Sequence, residues 1–224
     1  MLNNLKSFIK NAPVIGPSLD HLRGKSFKNS AEYWDQRYKT GGNSGAGSYN
    51  RLAEFKAEIL NEFVDQQQIT SVIEYGTGDG AQLKLARYPS YTGVDISEKA
   101  VEMCRIIFAG DISKRFLQSG AVTPGTVADL SLSLDVVYHL VEDSVFSAYM
   151  RQLFESAQRF VIVYSSHMEC DWPYKHVRHR QFGNWVAQNK PEWRLKSTIK
   201  NPYPWDPADP QNTSFADFYI FEPR

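Results

Sequence analysis

The stretch Ser71-Val72-Ile73-Glu74-Tyr75-Gly76-Thr77-Gly78-Asp79-Gly80 constrains this chain more than any other. A short β-branched run, Val72-Ile73, leads into the acidic Glu74. Glycines follow at every second position, and Ala81-Gln82-Leu83-Lys84-Leu85-Ala86 reads as a helix start. Strand, glycine turn and helix together bring backbone N–H groups close to a nucleotide-like ligand, because glycine lacks the Cβ that would block the approach and tolerates positive φ. The same spacing also makes a tight strand-to-helix turn with no ligand, so the glycines alone leave both readings open. A second acid adds weight to the ligand. Tyr91-Thr92-Gly93-Val94-Asp95-Ile96 reads as the next strand and ends near Asp95, whose carboxylate is placed to accept hydrogen bonds from the two hydroxyls of a ribose.

Together, Glu74-x-Gly76-x-Gly78-x-Gly80 and Asp95 resemble the S-adenosylmethionine site of class I methyltransferases. A dinucleotide-binding Rossmann protein more often carries G-x-G-x-x-G, whereas here the third glycine comes one residue earlier and an acid stands two residues before the first. The resemblance covers residues 50 to 222 or so and implies an α/β fold: a seven-stranded, mostly parallel, doubly wound sheet with an antiparallel C-terminal strand. It further implies S-adenosyl-L-methionine as cofactor, with Tyr33, Arg51, Glu74, Gly76, Thr77, Gly78, Asp95, Ile96, Gln118, Ser119, Ser133 and Leu134 as candidate contacts.

A chain of 224 residues fits one domain of ordinary to large size. Its 25 basic and 25 acidic residues cancel, which argues against a broad nucleic-acid footprint. Cys104 and Cys170 lie far apart and form no C-x-x-C, so neither a cysteine zinc site nor a disulfide is suggested, and a reducing cytoplasm is the default compartment. No apolar run approaches the ~20 residues of a membrane span. Lys6 and Lys10 are followed by no long apolar region, so the start does not read as a secretory signal.

In chain order, Leu2, Leu5, Phe8 and Ile9 have helical spacing that Pro13 and Pro17 interrupt, which predicts a short helix resting on the domain or a partner, with a weak membrane-surface anchor as the other reading. Ser30 is the expected N-cap of a helix through Tyr38. The glycine-rich segment 41–48 reads either as a flexible linker or as part of a lid over the bound donor, with Tyr33, Trp34 and Arg37 as its contacts. Residues 1–48 are therefore expected to be a helical lid extension and 49–224 the methyltransferase domain. Leu52, Phe55, Ile59, Leu60 and Phe63 predict an amphipathic helix over 50–65. Arg51 at its start is either a solvated charge or an ion-pair partner for the donor's carboxylate. Ser97 caps the next helix, whose apolar stripe is Val101, Cys104 and Phe108. Strands are expected at 115–119, 128–134, 159–166, 193–199 and 216–221, with an amphipathic helix carrying Phe146, Tyr149, Leu153 and Phe154. A proline-rich loop is expected over 201–213.

Residues 135–143 resemble the segment after the fourth strand of many small-molecule methyltransferases, where a histidine stands near the transferred methyl. His139 is thus the first candidate base, since histidine titrates near neutrality, with a helix-terminal ordering role as the alternative. His176 and His179 follow, read as one turn apart on a helix face, and Arg178, Arg180 and Tyr138 are candidate acceptor contacts able to hold phosphate or carboxylate. No spacing is specific for a metal. Tyr33-Trp34-Asp35-Gln36-Arg37-Tyr38 and the glycine-rich segment look similar to bacterial methyltransferases associated with saccharide or secondary-metabolite modification. That implies a small-molecule or sugar-like hydroxyl acceptor; with the balanced charge no nucleic-acid partner is expected, and the oligomeric state is left open. The alternatives are nitrogen methylation of protein or RNA, a donor-binding module without turnover, and an NAD-dependent oxidoreductase.

Overall fold

The computed structural model describes residues 27–224. The expected N-terminal helix over Leu2–Ile9 lies outside these residues. Seven strands, β1 (Val72–Tyr75), β2 (Tyr91–Asp95), β3 (Lys114–Gln118), β4 (Ala128–Leu134), β5 (Ala157–Ser165), β6 (Trp193–Ile199) and β7 (Asp217–Pro223), form one sheet in the order β3-β2-β1-β4-β5-β7-β6. β1 through β5 pair in parallel, and β7 enters antiparallel between β5 and β6. This is the sheet expected from the sequence. The order turns around at β1 and β4, and in an open α/β sheet the crevice outside the strand ends at such a reversal is where ligands bind.

Among the described residues five helices, α1 (Ser30–Lys39), α2 (Asn50–Gln66), α3 (Glu98–Ile107), α4 (Asp143–Glu155) and α5 (Phe182–Asn189), accompany the sheet. Side chains alternate along each strand. Phe160, Ile162 and Tyr164 of β5 join Leu60, Val64, Val101 and Cys104 on the face covered by α2 and α3. Val161 and Val163 join Phe146, Met150, Leu153 and Val186 on the face covered by α4 and α5. Among the described residues no helix is long and apolar enough to cross a membrane.

Three local expectations are corrected. The helix expected from Ala81 is only a 3-10 turn, Gln82–Leu85. Pro89 follows at once and β2 begins at Tyr91, which leaves no room for further turns. The N-cap of α1 is Asn29, whose side chain accepts the Glu32 N–H at 2.8 Å. The displaced Ser30 instead donates its hydroxyl to Glu142 at 2.7 Å and its N–H to the same carboxylate at 3.0 Å. Finally, His176 to Arg180 precede α5 and are not helical, so His176 and His179 do not share a helix face. Their backbone is held to another segment, with the Arg178 N–H donating to Tyr138 O at 2.7 Å.

Candidate active site

The turn after β1 carries three glycines with φ of +92° (Gly76), +59° (Gly78) and +76° (Gly80). At Gly76 a Cβ would sit 2.3 Å from Val136 Cγ2, so the glycine lets the β1 and β4 turns touch. Glu74 is 5% exposed and accepts the Tyr91 hydroxyl at 2.6 Å, and Tyr91 also shares a 2.8 Å bond with Thr77. Burial pushes the Glu74 carboxyl up to about 7, against the Tyr91 hydrogen bond and the nearby Lys56 charge, which hold it down.

Asp95 ends β2 and is 6% exposed. Its two oxygens accept one backbone N–H each at 2.9 Å, from Gly78 and from Ser97. Burial raises its pKa to about 6 in spite of those bonds. Each carboxylate oxygen has a second lone pair, so the group retains capacity for two hydroxyls. The neighbouring Ile96 is an apolar side chain left 46% exposed. Gln118 at the tip of β3 donates to Ile96 O at 3.4 Å, and Ser119 opens the turn that follows. At the tip of β4, Ser133 is buried and accepts the Tyr149 hydroxyl at 2.7 Å, and Leu134 is buried beside it. The remaining lone pairs of Asp95 and the exposed apolar Ile96 beside it suit, in chemistry, the hydroxyls of a ribose and the face of a base.

Segment 41–49 is seated on the glycine turn rather than free of it. Ser44 N–H and the Tyr49 hydroxyl donate to Asp79 Oδ2 at 2.9 and 2.5 Å, and Asp79 N–H donates back to Ser44 Oγ at 2.9 Å. Tyr38 of α1 is hydrogen-bonded to Ser44 Oγ at 3.1 Å. Farther along α1, Trp34 stands edge-on to His139 at 4.8 Å and Tyr33 stacks on His176 at 4.3 Å. Arg37 lies over Trp34 and hydrogen-bonds Asn43.

His139 lies in a 3-10 turn, Val137–His139, just past β4. Its Nδ1 is 3.0 Å from His176 O. A carbonyl only accepts, so Nδ1 carries the proton and Nε2 keeps its lone pair. Burial lowers the pKa to about 4, helped by Arg37 and His179, so the ring is neutral at physiological pH. The structure thus brings His139 and His176 together, stacked at 5.6 Å. Tyr138 lies between His139 and His179, with its hydroxyl donating to Asp135 Oδ1 at 2.8 Å.

The arginines are engaged elsewhere. Arg180 donates to Asp143 at 2.6 Å and to Val141 O at 2.7 Å, and Arg178 reaches Val141 O at 3.0 Å and Asp143 at 3.1 Å. Both bind their loop to the start of α4. Arg51 donates to Asn212 O at 2.7 Å and covers the Tyr203 ring, anchoring the 201–213 loop.

Sequence reasoning missed Lys56. Its side chain is 1% exposed and its Nζ lies 2.6 Å from Asp135 Oδ2. Asp135 has φ +59°, a conformation rare for a residue with a Cβ. A signal was present, because Leu52, Lys56 and Leu60 recur at one-turn spacing and place a lysine within the apolar stripe of α2.

Neither a family model nor a curated protein sequence matches the chain. Solved structures do. The N-methyltransferase NodS from Bradyrhizobium japonicum in complex with S-adenosyl-L-homocysteine is similar with a TM-score of 0.69 at 11% identity, over 88% of this chain and 99% of that one. Magnesium protoporphyrin IX methyltransferase ChlM from Synechocystis with bound S-adenosylhomocysteine gives 0.60 at 15%, over 88% and 97%. The methyltransferase domain of bacterial CtHen1 gives 0.59 at 18%, over 77% and 100%. At these identities the likeness establishes the fold, that of class I methyltransferases.

Proposed function

We propose that this protein is an S-adenosylmethionine-dependent methyltransferase acting on a hydroxyl of a small molecule, sugar-like acceptors included. The observation that carries this reading is the pair of buried carboxylates, Glu74 and Asp95, flanking a positive-φ glycine turn where the strand order reverses. The neighbours solved with S-adenosylhomocysteine support the donor, and one neighbour named for RNA methylation keeps a nucleic-acid acceptor as the second reading.

When bound, the donor supplies an electrophilic methyl on sulfonium sulfur. An acceptor oxygen would take that methyl and leave S-adenosylhomocysteine, in which the electron pair of the broken carbon–sulfur bond stays on sulfur. What the chain supplies is position and a proton acceptor. Asp95 would hold the ribose hydroxyls, and Ile96 and Gln118 would flank the base, whereas the N–H groups of residues 76–80 that the sequence offered to the ligand are bonded within the chain, to Val94 O, Asp95, Ser44 and Thr77 O. His139 Nε2 takes the acceptor's proton. Positioning alone can lower the barrier by up to ~7–11 kcal/mol, and a general base adds ~10²–10⁴ in rate when its pKa lies near the working pH, so His139, held down at about 4 by burial, falls toward the low end of that range.

Calorimetry with S-adenosylhomocysteine tests the donor, followed by saccharide and phenolic acceptors with labelled donor. Heat with NAD and none with the nucleoside would replace this reading by the oxidoreductase one. Binding without turnover on any acceptor would favour a donor-binding module.

A further inference from the structure

The segment after β5 and the loop between β6 and β7 meet at the carboxyl edge of the sheet and enclose His179. The imidazole is 2% exposed, and its Nδ1 shares a 2.7 Å hydrogen bond with Ser166 Oγ, itself 1% exposed. Its other nitrogen, Nε2, is buried with no partner. Aromatic rings surround it. Trp172 and Phe215 stand edge-on to the imidazole at 4.8 and 4.5 Å, Tyr138 lies at 6.2 Å, and Trp205 packs on both Trp172 and Phe215 at 5.7 Å. Packing explains the rings but not the imidazole. An apolar side chain of similar size would fill the position, whereas an unpaired buried ring nitrogen costs about 1–3 kcal/mol.

We propose that this cluster of rings is the acceptor pocket, and that it takes a flat, largely apolar molecule anchored by one polar substituent on His179 Nε2, a narrowing of the acceptor class that rests on the methyl-transfer reading. Apart from two indole N–H groups, Trp172, Trp205 and Phe215 offer no hydrogen-bonding capacity. A saccharide would bury several hydroxyls against them, each unpaired one costing about 1–3 kcal/mol. A flat aromatic body buries its faces favourably against such rings. Burial takes the His179 pKa down to about 4, so the ring is neutral at physiological pH. The Ser166 hydroxyl donates or accepts equally well, so His179 can take either tautomer and Nε2 suits a hydroxyl in both. The pocket is one ring from the crevice, because Tyr138 touches His179 and His139 and bonds Asp135 at the tip of β4. A flat acceptor seated here displaces the partly exposed Trp172 ring and lies toward His139.

The test uses the full chain saturated with S-adenosylhomocysteine. 2,3-Dihydroxynaphthalene is titrated by calorimetry, with naphthalene and methyl α-glucoside as comparisons. The indole N–H resonances are followed by NMR, and Trp172→Phe and Trp205→Phe assign them. Saturable binding that moves those two resonances, at least ~fivefold weaker for naphthalene and in His179→Phe, is expected. Ser166→Ala, which keeps the imidazole but frees its orientation, weakens the diol as well and serves if His179→Phe does not fold. Binding of methyl α-glucoside in preference to the diol overturns the pocket. So does diol binding that neither His179→Phe nor Ser166→Ala alters, or that leaves both indoles unmoved. A chain that gives no heat with S-adenosylhomocysteine instead removes the methyl-transfer reading, whatever the diol does.

Discussion

Lys56 of α2 and Asp135 at the tip of β4 form an ion pair of 2.6 Å, with the lysine side chain 1% and the aspartate 13% exposed. Asp135 Oδ1 also accepts the Tyr138 hydroxyl, and a Cβ on Gly47 would stand 2.5 Å from Oδ2. One carboxylate therefore joins a core helix, the turn bearing His139 and the segment laid over the glycine turn. Removing one partner of a buried pair leaves an uncompensated charge, so Lys56→Met is expected to destabilise by about 3 kcal/mol. Lys56→Met with Asp135→Asn should recover at least about 1 kcal/mol, since asparagine tolerates positive φ and carries no charge. Urea unfolding midpoints measure both, and a double variant no more stable than the single one would show that the pair acts through shape instead.

Glu74 makes stability depend on pH. Its pKa rises from 4.5 to about 7 on folding, so between those values the folded chain holds a proton that the unfolded chain releases. Its contribution is greatest below pH 4.5 and declines by about 3 kcal/mol as pH climbs to 7. His139 and His179 act in the opposite sense, because their pKa falls from 6.5 to about 4. Comparing wild type with Glu74→Gln isolates the carboxylate. The variant should gain relative to wild type as pH rises from 5 to 8, and a constant difference would mean that Glu74 does not titrate there.

Asp95→Asn replaces an oxygen that accepts a backbone N–H by an amide that donates. We expect S-adenosylhomocysteine to bind at least ~tenfold more weakly while circular dichroism stays that of the folded chain. Unchanged affinity would take the ribose away from this strand tip.

His139→Ala is expected to leave nucleoside binding within about twofold and to lower turnover at least ~tenfold once an acceptor is in hand. Equal turnover would pass the proton to another group.

Asp79→Ala removes the acceptor for the Ser44 N–H and the Tyr49 hydroxyl. Limited proteolysis should then cut within residues 41–48 faster than in wild type. Identical cleavage rates would place the hold on this segment elsewhere.

The sheet was legible because its signals are local. Val72-Ile73 leading to Glu74, the alternate glycines and the strand ending at Asp95 are each read from neighbours in sequence. The short turn at Gln82–Leu85 was misread because helix-forming residues were weighed without Pro89. His176 to Arg180 were misread because charged and aromatic residues there satisfy a helical pattern, yet their bonds run to Tyr138, Leu140 and Val141, some 40 positions earlier. The bonds from Ser44 and Tyr49 to Asp79 join positions 35 and 30 apart, which no local pattern reports. The same holds for the pair Ser166 and His179, whose surroundings come from the distant Phe215 and Trp205.

Tyr33 and Trp34 lean against the two histidines His176 and His139, so α1 roofs the place where methyl transfer is proposed. If donor exchange under that activity passes beneath this helix, the rate at which the helix swings away is a ceiling on cycles per second, however fast the bond-making step becomes.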